Sequence, residues 1–342
     1  MPSPRRATIA DVAAASGVGV GTVSRVINGA PNVREGTRTS VLKVIEQLGY
    51  RPSHLAASLS RGTARTMAIV VPHLTRPSVV MRLAGALAVL DEQGYDTVVC
   101  NVDTPQQRDH HLAALTKRHR ADGVMVVSLR LSRQQLESFQ RAGVPLVTVG
   151  VLAPGVPQTI TDDVMGGRLA TGHLLALGHR RIGFVGGLVD SACEQARLHG
   201  YLASLTRAGI EPDPALVSHR DFHYETGYGD GARLLDLAAP PTAVFAASDA
   251  IALGVLETAR EHGLTVPGDL SVVGFDDTYV AEWTTPPLTT VRQPLQEMGG
   301  LAFRTLMRLR AGDPPESHHV EMATQLILRG STAPPRAVRP TV

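Results

Sequence analysis

The stretch Thr8–Gly29, TIADVAAASGVGVGTVSRVING, decides how this chain is read. It predicts two short helices joined by a tight turn. The Thr8 hydroxyl is placed to cap the first helix, and Asp11, three residues on, stands where a capping box takes an acid. Ile9, Val12 and Ala13 recur at i, i+3, i+4 and share one face. Gly17 interrupts the run and permits a sharp turn. Val23, Val26 and Ile27 share a face of the second helix, and Gly29 after Asn28 is a stop signal. Helices this short do not stand alone in water, so each is expected to bury its apolar face against the other and against a third helix.

Val33 to Gly49 predicts that third helix, with Val41, Ile45 and Leu48 at i, i+4, i+7. Tyr50-Arg51-Pro52 follows, and Pro52 disfavours helix at Arg51. Such a unit is either a plain helical bundle or a helix-turn-helix whose second helix enters the DNA major groove. Residues 1–65 hold nine basic against three acidic side chains, a balance of +6, while the remaining 24 basic and 28 acidic leave −4. A small basic domain on a mildly acidic larger one suits a polyanion partner at one end only.

The motifs Ile9-Ala10-Asp11-Val12-Ala13, Gly17-Val18, Thr22-Val23-Ser24-Arg25-Val26-Ile27-Asn28 and Gly49-Tyr50-Arg51-Pro52 resemble the headpiece of the LacI/GalR family of bacterial transcriptional repressors. The resemblance implies that Val20, Gly21 and Arg25 lie on the recognition helix, with Thr8, Thr22, Ser24, Asn28 and Tyr50 as further DNA contacts. For Thr22, Ser24 and Asn28 a surface or capping role fits as well. Val20 can only touch a thymine methyl, and Gly21 offers no side chain. The family also implies a hinge helix over about 53–61, in which Ala56 and Leu59 meet DNA. Leu59 would wedge between base pairs in the minor groove; a plain Leu55–Leu59 packing pair is the alternative.

From Thr66 the pattern changes. Apolar strands at 66–72, 96–100, 123–127 and 145–149 alternate with helical stretches at 79–94, 106–118 and 134–143. The alternation resumes after Asp162-Asp163, with strands at 181–185, 216–218, 243–246 and 270–275 and helices at 166–177, 194–209, 226–237 and 250–262. This predicts parallel sheets in two Rossmann-like lobes, with a ligand cleft between them. The motifs Ala176-Leu177-Gly178-His179-Arg180-Arg181-Ile182, Ser248-Asp249-Ala250-Ile251-Ala252-Leu253-Gly254, Val272-Val273-Gly274-Phe275-Asp276-Asp277 and Pro287-Leu288-Thr289-Thr290-Val291-Arg292-Gln293-Pro294 resemble the type I periplasmic-binding-protein domain of the same family. The expected fold class is α/β: a small all-α headpiece over 1–62, then a two-lobed effector-binding and dimerisation domain over 63–342. The resemblance further implies three crossings between lobes, with residues near 295–318 returning to the first. A last strand at 325–329 precedes a Pro/Arg-rich end, 332–342, expected to be a loose tail.

No catalytic constellation is evident. Gly183-x-x-Gly186-Gly187 lacks the Lys-Ser/Thr of a P-loop, and no Gly-x-Ser-x-Gly elbow occurs. His110-His111 and His318-His319 are adjacent pairs rather than i, i+4 ligands on one helix face, so no metal and no cofactor is expected. Cys100 and Cys193 form no CxxC, and no apolar run is long enough to span a membrane, so a cytoplasmic protein is expected.

For the effector, the resemblance points to Arg197, Phe222, Ser248 and Asp276: a guanidinium, a stacking ring, a polar contact and a carboxylate for vicinal hydroxyls. Phe222 would also serve as core and Arg197 as an ion-pair partner. Where the family carries Asn-Pro-aromatic-aromatic, this chain has Arg76-Pro77-Ser78-Val79, so Arg76 brings a cation and opens a carboxylated or phosphorylated ligand beside the neutral sugar that the family implies. The expected protein is a homodimeric transcriptional regulator, a repressor by default, that binds a near-palindromic double-stranded operator and a sugar-like effector and has no membrane partner. A solute-binding sensor without DNA binding and a sugar-metabolising enzyme are the rival readings.

Overall fold

The computed structural model describes residues 7–50, 64–91, 93–117 and 120–336. The chain divides into two compact units, 1–65 and 66–342. The hinge segment with Ala56 and Leu59 lies outside the described residues.

The first unit holds helices α1 (Ile9–Ser16), α2 (Val20–Ile27) and α3 (Glu35–Gln47). The Thr8 hydroxyl accepts from the Asp11 amide and the Asp11 carboxylate accepts from the Thr8 amide, closing the capping box. Gly17 takes a φ of +68°, the left-handed conformation that the turn needs. Val12, Ala13, Val23, Val26 and Val41 form the core, with Ile9, Val18, Ile27, Val44, Ile45 and Tyr50 packed against it. Leu48 departs from expectation. It follows the last turn of α3 as its cap residue and is 41% exposed, and Val44 packs in its place.

In the second unit the first lobe is a six-stranded parallel sheet in the order β11-β5-β4-β3-β1-β2. Its strands are β1 (Thr66–Pro72), β2 (Asp96–Val102), β3 (Gly123–Val127), β4 (Leu146–Val149), β5 (Gln158–Thr161) and β11 (His319–Met322). The apolar run of β1 is explained by two covered faces. Met67, Ile69 and Val71 pack under α4 (Pro77–Asp91) and α12 (Leu295–Ala311), while Ala68 and Val70 pack under α5 (Pro105–Leu115) and α6 (Arg133–Ala142). Helices α4 and α12 touch backbone to backbone at Gly85 and Gly299, where a Cβ would collide with the opposite chain.

The second lobe has the order β12-β10-β9-β8-β6-β7, from β6 (Ile182–Gly186), β7 (Val217–His219), β8 (Ala243–Ala246), β9 (Ser271–Asp276), β10 (Thr289–Arg292) and β12 (Gln325–Ile327). Among these described strands only β12 is antiparallel to its neighbour. Helices α7 (Asp163–Ala176), α8 (Ala192–Arg207), α9 (Tyr224–Leu235) and α10 (Asp249–Glu261) cover the sheet, with a short α11 (Tyr279–Trp283). The chain crosses between lobes at β5–α7, β10–α12 and β11–β12, and α12 and β11 do return to the first lobe. Strands β5 (QTIT) and β11 (HVEM) mix polar with apolar residues and lack the continuous apolar run of β1, so they were not read from sequence. The expected loose tail from Thr332 needs correction as far as Arg336. Ala333 pairs with Ser271 and His179, and Arg336 lies 2.7 Å from Asp269, because these contacts complete the polar groups behind β9.

Candidate effector cleft and nucleic-acid interface

In the first unit, α2 turns one polar face outward. Val20, Gly21, Arg25 and Asn28 are exposed and Thr22 and Ser24 half-buried, while Val23 and Val26 anchor the opposite face in the core. Arg25 lies back along its own helix, with Nε donating to the Gly21 carbonyl at 3.2 Å. Nothing crowds Gly21: an added Cβ would meet only the Arg25 guanidinium, at 3.9 Å. Packing therefore does not demand glycine there, although glycine costs a helix about 1 kcal/mol relative to alanine. The Thr8 side chain is engaged in its capping box, and Tyr50 is half-buried against the core.

Between the two lobes of the second unit lies a cleft of about 640 Å³. Each lobe contributes loops from the C-terminal ends of its strands, the usual place for ligands in such sheets. Arg76, Arg197, Phe222, Ser248 and Asp276, all singled out from sequence, line this one cleft.

Arg197, on α8, is 4% exposed. Its Nε and Nη2 both stand 2.8 Å from Asp163 Oδ1, and Nη1 donates to the Ala247 carbonyl at 2.6 Å. The guanidinium also lies 3.7 Å from the Phe275 ring centroid. Burial opposes its charge, but the carboxylates of Asp163 and Asp276 outweigh that and hold its pKa above the ordinary arginine value. Asp276 ends β9 with a φ of +111°, a strained conformation for a non-glycine residue, of the kind that clusters at functional sites. Its Oδ1 is 3.9 Å from Arg197 Nη1 and accepts from Gln293 Nε2. Burial raises its carboxyl pKa, while Arg197 and Arg82 pull it down. Ser248 caps α10 by accepting from the Ile251 amide, leaving its hydroxyl proton to be donated. The Phe222 ring lies 5.8 Å from the Arg76 guanidinium and 6.0 Å from that of Arg197, cations from opposite lobes.

Several cleft residues were given no role in the sequence reading. Arg82, on α4, is only 5% exposed, and its Nη2 donates to Gln293 Oε1 at 3.1 Å. Thr161 Oγ1 donates to the same oxygen at 2.9 Å. Arg82, Gln293, Asp276, Arg197 and Asp163 thus form one buried chain of polar contacts across the lobe crossings at β5–α7 and β10–α12. In sequence, Arg82 is a single cation inside an apolar helical pattern, with no motif around it to mark it. Gln293 is visible only as one letter of a longer motif. At the cleft mouth the His73 and His223 rings meet edge to face at 4.8 Å, and Arg76 Nη2 stands 3.1 Å from His223 Nε2. Cys193, which has no partner cysteine in sequence, lines the cleft beside Ser191, and burial pushes its thiol pKa up. Among the described residues, no group of three His, Cys, Asp or Glu side chains is placed to hold a metal, and no helix is long and apolar enough to cross a membrane.

Comparison with known proteins agrees with both halves of this architecture. Residues 8–53 match the bacterial regulatory proteins of the lacI family, and residues 171–332 match the periplasmic binding protein-like domain. The HTH-type transcriptional regulator DegA of Bacillus subtilis is 34% identical over 96% of this chain and 99% of its own. The transcriptional regulator CelR–cellobiose complex is similar over 95% of this chain and all of its own, at 36% identity and a TM-score of 0.72. The lac repressor dimer bound to operator and the anti-inducer ONPF is similar over 96% of this chain and all of its own, at 28% identity and a TM-score of 0.81. With a helix-turn-helix unit, a two-lobed α/β unit and full-length relatives that are transcriptional regulators, this chain belongs to the LacI family of bacterial DNA-binding regulators.

Proposed function

We propose that this regulator is a cytoplasmic homodimeric repressor on a near-palindromic operator, and that a small polyhydroxy, sugar-like molecule entering the cleft changes its affinity for that operator. Val20, Gly21 and Arg25 meet base edges and phosphates in the major groove, Thr8, Thr22, Ser24, Asn28 and Tyr50 flank them, and Ala56 and Leu59 complete the contact from the hinge. A two-fold dimer reads two half-sites, which is why the operator is near-palindromic. In the cleft Arg197 offers donors and Asp276 acceptors to neighbouring hydroxyls, Phe222 stacks on the ring, Ser248 donates its hydroxyl and Arg76 closes from the other lobe. Binding rather than catalysis is the chemistry these groups supply.

The observation that carries the effector reading is the placement of Asp276. A strained, buried carboxylate beside a fixed guanidinium faces a cavity large enough for a mono- or disaccharide. The similarity to a cellobiose-bound regulator and to an operator-bound dimer supports both halves. The test is a mobility-shift assay with the promoter of the protein's own gene, with and without a panel of sugars and sugar derivatives. A sequence-specific shift that at least one compound alters is expected. Equal binding to unrelated DNA would refute a specific operator, and no shift with any DNA would refute the regulator reading and favour a solute sensor.

A further inference from the structure

We infer that the effector carries an oxyanion, a carboxylate or a phosphate, held by the first lobe between Arg76 and Arg82 at the N-terminus of α4. The inference rests on the reading of the cleft as the effector site and concerns the chemical class of what binds there.

Among the described residues, two buried donors in this lobe lack acceptors. The Nε atoms of Arg76 and Arg82 are both buried and make no hydrogen bond. Arg82 is buried almost completely. Its Nη2 is bound by Gln293, and its Nη1 reaches the Ser78 carbonyl only at 3.5 Å. The hydrogen-bond partner of Arg76 is the His223 ring at Nε2, not a carboxylate. A buried donor without an acceptor is costly, and an oxyanion is the acceptor that a guanidinium fork fits best.

The helix adds to this. Arg76 is the residue before the first turn of α4, a helix of 15 residues with no acid in that turn. Pro77 carries no amide hydrogen, and Ser78, whose side chain faces the same cleft, offers a hydroxyl and a first-turn amide to an anion.

The charge balance of the cleft floor points the same way. Asp163 and Asp276 stand against Arg197. Asp249 is taken up by three hydrogen bonds from Thr278 and Thr290, and burial, then the Asp276 charge, raises its pKa. Of the three guanidiniums at this floor, those of Arg76, Arg82 and Arg197, only Arg197 has a described carboxylate within 4 Å. At the mouth Asp221 is near enough to favour the Arg76 charge, yet it accepts from the His223 amide and Thr226 rather than from Arg76, and Asp103 is bound by His73 and Asn101. An oxyanion beside Arg76 and Arg82 gives both guanidiniums the charged acceptor that they lack.

The experiment is titration calorimetry and thermal shift on the full chain with matched probes: neutral hexoses and cellobiose against hexuronates, aldonates and hexose phosphates, plus inorganic phosphate against chloride at equal ionic strength. An anionic probe is expected to bind about tenfold or more tightly than its neutral counterpart. Whether the hexuronate or the hexose phosphate arm gives the tighter binder tells carboxylate from phosphate. Arg76→Gln and Arg82→Lys should each collapse that ratio, the second because it keeps the charge but removes the fork; Arg76→Gln, at a half-buried site, remains informative if the buried variant does not fold. A neutral sugar that binds as tightly as its anionic counterpart overturns the inference and leaves the sugar reading standing. A stabilising response to phosphate with no sugar bound upholds the anion site and counts against the sugar reading. No response to any probe overturns both.

Discussion

Replacing Arg197 with methionine isolates the electrostatic work of the cleft floor. The substitution keeps an apolar stem and a sulfur over the Phe275 ring, so packing is largely retained. It removes the two 2.8 Å contacts to Asp163 and the 2.6 Å bond to Ala247, and leaves Asp163 and Asp276 facing each other in a wall where their side chains are only 11% and 9% exposed. Removing one partner of a buried pair costs about 3–5 kcal/mol because the other charge is left uncompensated. For a unit of this size that is a fall in melting temperature of roughly 5–9 °C. The sign of the pH dependence is fixed by the same geometry. Burial already raises the Asp276 carboxyl pKa and Arg197 is the charge that most lowers it, so without Arg197 it rises further, and a group whose folded pKa is raised regains stability as pH falls through that raised value. The deficit should therefore shrink from mildly alkaline to mildly acidic pH as a proton neutralises the orphaned Asp276 charge. For the same reason, adding Asp163→Asn to Arg197→Met should recover part of the loss. Thermal unfolding of the ligand-free chain at the two pH values is the assay. A deficit below about 1 kcal/mol, or one equal at both pH values, would refute the claim that Arg197 is held by charge.

Two further outcomes test other parts of the molecule. Arg25→Ala should weaken operator binding and reduce the salt slope of that binding by about one, measured by mobility shift over a salt series; an unchanged slope takes Arg25 off the phosphates. His73 should titrate below 6.5, because burial, then Arg76 and His223, disfavour its charged form. The mouth contact is therefore intact above that value and weakens as pH falls through the lowered one, and a proton NMR titration in which Arg76→Gln leaves the His73 midpoint unmoved would contradict the arrangement.

What the sequence determined by itself was everything set by near neighbours. The capping box of Thr8 and Asp11 and the shared face of Ile9, Val12 and Ala13 need only residues three or four apart, and both are present in the fold. The apolar run of β1 announced a sheet covered on both faces, because alternate residues must each find a core. Where local pattern was thin it misled or fell silent. Leu48 kept the helical spacing but lies past the last turn of α3, and β5 and β11 mix polar with apolar residues and offer no apolar run.

Motif resemblance reached Arg76, Arg197, Phe222, Ser248 and Asp276 one at a time, and it said nothing of what holds them. Only the tertiary structure decided that Arg82 is buried and meets Gln293, 211 residues further along, and that Gln293 in turn joins Asp276 to Thr161. The physical reason is that local periodicity marks which apolar residues are covered, whereas the burial and the partner of a charged side chain are decided by which lobe the chain returns to after each crossing. An arginine in an amphipathic helix looks solvated until the opposing lobe is folded against it.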